Sequence, residues 1–106
     1  MKKVSAIFAG LLLSAAVSSA ADATAGKAAY DKSCKMCHGP DGTPNAKIAA
    51  AMKVDMRHLG SKEVQGMTDA ALKKVVTEGQ GKMKPIKTIS GPDLDNLIAH
   101  IRTLKQ

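Results

Sequence analysis

Two cysteines stand three residues apart and a histidine follows the second directly, in Cys34-Lys35-Met36-Cys37-His38. These are the only 2 cysteines of the chain. On one helical turn, positions i and i+3 face the same way, so both sulfurs project together with an imidazole next to them. Four chemistries use such a pattern. A redox dithiol expects a thioredoxin-like βαβ setting, and no run of period-2 alternation marks a strand here. A zinc site needs a second ligand pair at finger spacing, and none is present. A structural disulfide across a two-residue gap closes a small loop and gains little from closure. The fourth is covalent attachment of haem, in which both thiols reach the vinyl groups of one porphyrin edge and the histidine sits beneath the ring to bind iron.

The start of the chain bears on which chemistry applies. Met1-Lys2-Lys3 is a short positive segment, Val4 to Leu13 an apolar run, and Ser14 to Ala23 a stretch of small residues. That is the three-part pattern of a secretory signal peptide. The apolar run is about half the roughly 20 residues needed to span a bilayer, which argues against an anchor. Residues 1–20 are therefore expected to be removed, with cleavage after Ala20 or Ala21, leaving one domain over 21–106. Export to the periplasm follows. Loss of Lys2 and Lys3, with all acidic residues lying from Asp22 onward, lowers the net charge from +7 to +5.

The remainder reads as all-α. Thr24 can cap a helix from Ala25 to about Ser33. Gly39-Pro40-Asp41-Gly42 is turn chemistry. Thr43-Pro44 resembles an N-cap followed by proline at the first helical position, opening a helix from Asn45 to Lys53. Val54 to Gly66 reads as loop with at most a short helix. Thr68 caps a helix with Leu72, Val75 and Val76 as its apolar stripe, ended by Gly79. Gln80 to Ile89 reads as an ordered loop. Ser90 with Asp93 forms an acidic variant of the capping box. It opens a last helix whose Leu94, Leu97, Ile98, Ile101 and Leu104 share one face. There is no internal repeat and no linker.

A haem iron bound by His38 has a second axial position, for which Met, His or no side chain are the choices. Met36 lies inside the attachment turn and cannot readily reach the opposite face. Met52 and Met56, on or beside a helix, read as core fillers, and Met67 as a staple before the Thr68 cap. Met83 lies in Gly79-Gln80-Gly81-Lys82-Met83-Lys84-Pro85, a loop stiffened by proline and made close-fitting by glycine, which can hold a thioether against a ring face. His58 and His100 are the rival ligands, with surface or packing roles as their simpler reading.

From about Gly26 to Leu104 the chain resembles a small bacterial class I cytochrome c. CKMCHGPDG is similar to that family's attachment segment, EGQGKMKP to its methionine loop, and GPDLDNLIAHIRTL to its C-terminal helix. Gly26 and Tyr30 match the glycine and aromatic of the family's N-terminal helix, which crosses the last one. Three departures stand out. His100 occupies the place of an aromatic often found on the last helix. Lys84 separates Met83 from Pro85. The backbone carbonyl that orients the ligating imidazole in the family, often a proline's, has only Pro40 and Pro44 as candidates.

The resemblance implies a small cytochrome c fold, with helices wrapped around one covalently bound haem c. Its iron would be held by His38 and Met83 and its porphyrin by Cys34 and Cys37. The implied function is one-electron transfer between redox partners and no enzymatic activity. With both axial positions filled, iron offers no site for oxygen or peroxide. The alternative is a haem-based ligand sensor or weak peroxidase with an open sixth site. Lys35, Lys82, Lys84 and Lys87 flank the implied haem-binding segments and suit acidic redox partners. Nucleic-acid binding is not expected, since no aromatic residues interleave the basic ones. At most a weak contact with an anionic membrane surface is expected, and the protein reads as a monomer.

A core puzzle supports the cofactor. The whole chain holds 1 Tyr, 1 Phe and no Trp, and Phe8 falls in the leader. Tyr30 is then the sole aromatic of a mature chain of roughly 85 residues, a size at which an unaided core is marginal. A buried haem would supply the missing apolar surface. The haem-free chain is therefore expected to be largely unfolded; native-like helicity by circular dichroism and a cooperative melt without haem would contradict this.

Overall fold

A computed structural model describes residues 21–106. The signal-peptide reading of residues 1–20 lies outside them. The described part is helical: α1 Ala23–Ser33, α2 Lys35–His38, α3 Ala46–Met52, α4 Lys62–Gln65, α5 Asp69–Glu78 and α6 Pro92–Thr103. Among these residues there is no strand, only an isolated bridge between Gln80 and Met83. Among the described residues, no helix is long and apolar enough to cross a membrane.

Three helix starts differ from the sequence expectation, each for a local reason. α1 is capped by Asp22, not Thr24: its carboxylate accepts from the amides of Thr24 (2.9 Å) and Ala25 (3.3 Å). A charged acceptor at the positive end of the helix dipole outcompetes a hydroxyl. α3 is capped by Asn45, whose side chain accepts from Lys47 and Ile48. Thr43 instead belongs to the preceding turn, where its amide donates to Asp41 at 3.0 Å. α6 begins after Gly91 without a side-chain cap. Pro92 at its start has no N–H to satisfy, and Asp93 and Asp95 complement the dipole from the first turn. Thr68 does cap α5, accepting from Ala71 at 3.1 Å, and Gly79 ends it.

The core forms where α1 crosses α6. A side chain at Gly26 would place its Cβ 1.8 Å from the Asn96 carbonyl oxygen, so the two backbones touch and only glycine fits. One turn on, Tyr30 and Leu97 are fully buried. Leu94, Ile98 and Ile101 of α6 join Leu72 and Val76 of α5, Val64 of α4 and Ile89. The apolar face expected of the last helix is thus the centre of the packing.

Polar contacts tie the short elements to α6. Arg102 donates to the carbonyls of Gln65 (2.7 Å) and Met67 (2.6 Å) and pairs with Asp69. The Gln65 side-chain amide donates to the carbonyls of Leu59 and Ile101.

His100 takes the place of an aromatic at the crossing. Its ring lies 4.9 Å from that of Tyr30, tilted by 58°. It is buried, and its Nε2 has no hydrogen-bond partner. Burial, then repulsion from Lys27, lowers its pKa, and Asp31 opposes only in part. In the unfolded chain a histidine titrates near 6.5, so the unfolded state binds the proton first. Stability is full above that pH and is lost as pH falls toward the lower folded value. His100→Phe removes both the unpaired nitrogen and the titration. It should stabilise by about 1–3 kcal/mol, with a larger gain in melting temperature at pH 5 than at pH 7.5. Equal gains at the two pH values would contradict this reading.

Candidate functional site

α1 stops where the cysteines begin. Cys34 leaves helical geometry (φ −120°, ψ −31°), and a new turn starts at Lys35 as α2. Cys34 is its N-cap and Cys37 its third residue, one helical turn apart, and both are free thiols. His38 closes it, with its amide donating to the Cys34 carbonyl at 2.9 Å. The three residues singled out from spacing are therefore together on one turn.

Burial sets their chemistry. The Cys34 thiol is pushed up to about 11, by desolvation first and by neighbouring Cys37 second, so it stays protonated at neutral pH. Burial lowers the His38 imidazole, which keeps it neutral, the form with a lone pair for a metal. Its Nδ1 is buried without a partner. Neither Pro40 nor Pro44 supplies an accepting carbonyl.

The turn's own carbonyls are all engaged. The Asn45 amide donates to the Cys37 carbonyl at 2.9 Å, and the Asn45 side chain donates to that of Met36 at 3.2 Å. The Tyr30 hydroxyl donates to the Gly39 carbonyl at 2.6 Å and lies 3.3 Å from that of His38. Burial pushes this hydroxyl up to about 12, so it remains a donor. The roles of Tyr30 and Asn45 escaped the sequence reading. Tyr30 precedes Cys34 by four residues, a spacing that signals proximity on a helix but not a bond beyond its end.

Met83 comes from a separate loop. Its amide and carbonyl pair with those of Gln80 (2.9 and 3.0 Å) across Gly81-Lys82. The Ile86 amide donates to the Val76 carbonyl at 2.8 Å, and the Lys82 ammonium donates to the Met52 carbonyl. These bonds fasten the loop to α5 and to the end of α3. Among the described residues, no hydrogen bond joins it to the Cys34–His38 turn. Met83 is half-buried, as are Met52, Met56 and Met67, so burial alone does not separate them, whereas Met36 is 77% exposed.

The two rival histidines have other attachments. His58 Nδ1 accepts from the Gly60 amide at 2.8 Å, which leaves the proton on Nε2 to donate to the Thr43 hydroxyl at 3.1 Å. His100 is enclosed against Tyr30.

Among the described residues, no three His, Cys, Asp or Glu side chains converge to hold a bare metal ion. The donor set suits a group that brings most of its own ligands: two free thiols on one turn, and beside them a neutral imidazole whose buried Nδ1 is unpaired. Haem fits these residues.

The family described as "Cytochrome C oxidase, cbb3-type, subunit III" matches residues 21–101. Among solved structures, the KustC0563 c-type cytochrome is similar at 27% identity with a TM-score of 0.64, covering 76% of this chain and 98% of its own. No curated protein matches.

The loop around Met83 depends on Gly79, whose φ is +77°. A Cβ there would lie 2.5 Å from the Met83 carbonyl oxygen and 3.0 Å from Pro85 Cδ. Gly79→Ala should cost at least the roughly 1–3 kcal/mol of such backbone strain. A wild-type denaturant midpoint for this variant would contradict the described geometry.

Proposed function

The chain belongs to the c-type cytochrome family described as "Cytochrome C oxidase, cbb3-type, subunit III", and we propose that it is a periplasmic one-electron carrier with His38 and Met83 as the axial ligands of its single haem. A general role in electron transfer comes with the family, as does haem c. The observation that carries the finer reading is the pairing of free Cys34 and Cys37 with a neutral, half-buried His38 on one turn.

When bound, haem supplies a one-electron iron couple. Cys34 and Cys37 would hold the porphyrin through two thioethers, which their spacing over one turn suits. His38 would offer its neutral imidazole on one side. Met83 would supply its thioether from a loop fixed by Gly79, Lys82 and Ile86. A thioether favours the ferrous state and raises the potential relative to a second imidazole. Two side-chain ligands that stay in place keep small molecules off the metal and the reorganisation low.

Lys35 and Lys84 are exposed and make no ion pair among the described residues, while Lys82 and Lys87 lean on local carbonyls. Together they would steer an acidic redox partner toward the site, with association slowing as salt rises. The export signal supports the periplasm as the compartment. The lysines also allow a weak contact with an anionic membrane surface, and the protein is read as a monomer that binds no nucleic acid.

Intact mass should show the mature chain plus one covalently held haem. The reduced wild-type protein should refuse carbon monoxide, whereas Met83→Ala should bind it and have a lower reduction potential. Carbon monoxide binding by the wild type would favour the ligand-sensor alternative. Refusal by Met83→Ala would remove Met83 from the iron.

A further inference from the structure

Tyr30 does more than fill the helix crossing. It is fully buried on α1, beneath His100 of α6. Its hydroxyl leaves that apolar setting to meet the end of the attachment turn, donating to the Gly39 carbonyl at 2.6 Å with the His38 carbonyl at 3.3 Å. α2 is only four residues long. A helix leaves its last carbonyls without intrahelical partners; in this turn Asn45 takes those of Met36 and Cys37, which leaves those of the histidine and the residue after it. His38 itself lacks the usual restraint: its Nδ1 has no partner, although histidines that bind metals normally donate that hydrogen to a carbonyl or carboxylate, which fixes the ring. Asn45 holds the Met36 and Cys37 carbonyls of the turn, and the backbone route through Tyr30 is the restraint at the histidine itself.

We propose that the Tyr30 hydroxyl is a positioning residue for the axial imidazole, holding His38 through the His38 and Gly39 carbonyls in place of a direct bond to the ring. This rests on His38 as an iron ligand. The hydroxyl caps the turn from the C-terminal side, and its own place is set by the α1–α6 crossing. The orientation of the imidazole is thereby coupled to the packing of the two terminal helices, at the cost of a buried polar group that must find an acceptor.

The test uses the holoprotein. Wild-type ferrous protein should first show His38 ring-proton resonances displaced by the porphyrin ring current; their absence would refute His38 ligation and, with it, the function proposed above. Given those resonances, Tyr30→Phe, which keeps the ring and removes the hydroxyl, should shift or broaden them and move the reduction potential. His100→Phe alters the packing on the same ring but keeps the hydroxyl, so it should leave both signals near wild type even as it changes the melting temperature. Because Tyr30 is the only tyrosine, growth on ring-fluorinated tyrosine strengthens this single donor with almost no change of shape. It should move the same resonances even if Tyr30→Phe fails to mature. Unchanged resonances and potential in the phenylalanine or the fluorotyrosine protein would overturn the proposal. So would an equal response from His100→Phe.

Discussion

The backbone contact between α1 and α6 at Gly26 is the constraint on which the rest of the molecule depends. With no Cβ, Gly26 lets the chain lie against the Asn96 carbonyl. That approach carries Tyr30 down onto Leu97 and His100. Any larger residue would separate the helices and pull the tyrosine hydroxyl away from the Gly39 carbonyl. The packing of the two ends of the domain and the geometry of the attachment turn are therefore one structural event, linked by a single side chain.

The C-terminal helix organises the remaining elements in the same way. Its apolar face collects residues from α1, α4 and α5, while Arg102 and the Ile101 carbonyl reach the segment between Leu59 and Asp69. α3 and α4 are seven and four residues long, too short to be stable alone. They hold their places through caps and through hydrogen bonds to neighbours. A chain with 1 Tyr, 1 Phe and no Trp has few large side chains with which to do this by apolar burial alone, consistent with a prosthetic group sharing the interior.

Much of this was legible in the residues. The Cys34, Cys37 and His38 cluster follows from local spacing, which a single helical turn preserves whatever surrounds it. The apolar stripe of α6, the Thr68 cap and the Gly79 stop also read correctly, because each is decided within a few residues. The starts of α1 and α3 were harder, since two capping residues competed at each, and α6 begins after Gly91 with no side-chain cap at all. Asp22 displaced Thr24 through its charge, and Asn45 displaced Thr43 because Asp41 had already drawn Thr43 into a turn. His58 and His100 could not be sorted by sequence. One is held by the Gly60 amide and the Thr43 hydroxyl, the other by a ring seventy residues away in the chain.

By itself the sequence determined the chemistry available: two thiols and an imidazole in register on one turn, a methionine in a glycine- and proline-bounded loop, and helices in a set order. These depend on neighbours along the chain, where covalent spacing fixes direction and distance. Only the tertiary structure decided what surrounds that chemistry. It left the His38 ring nitrogen without a carbonyl, turned the Tyr30 hydroxyl toward the backbone of the turn, and put a neutral histidine where an aromatic would serve. Burial and hydrogen bonding at those places come from segments far apart in sequence, and no local pattern records which of them will meet.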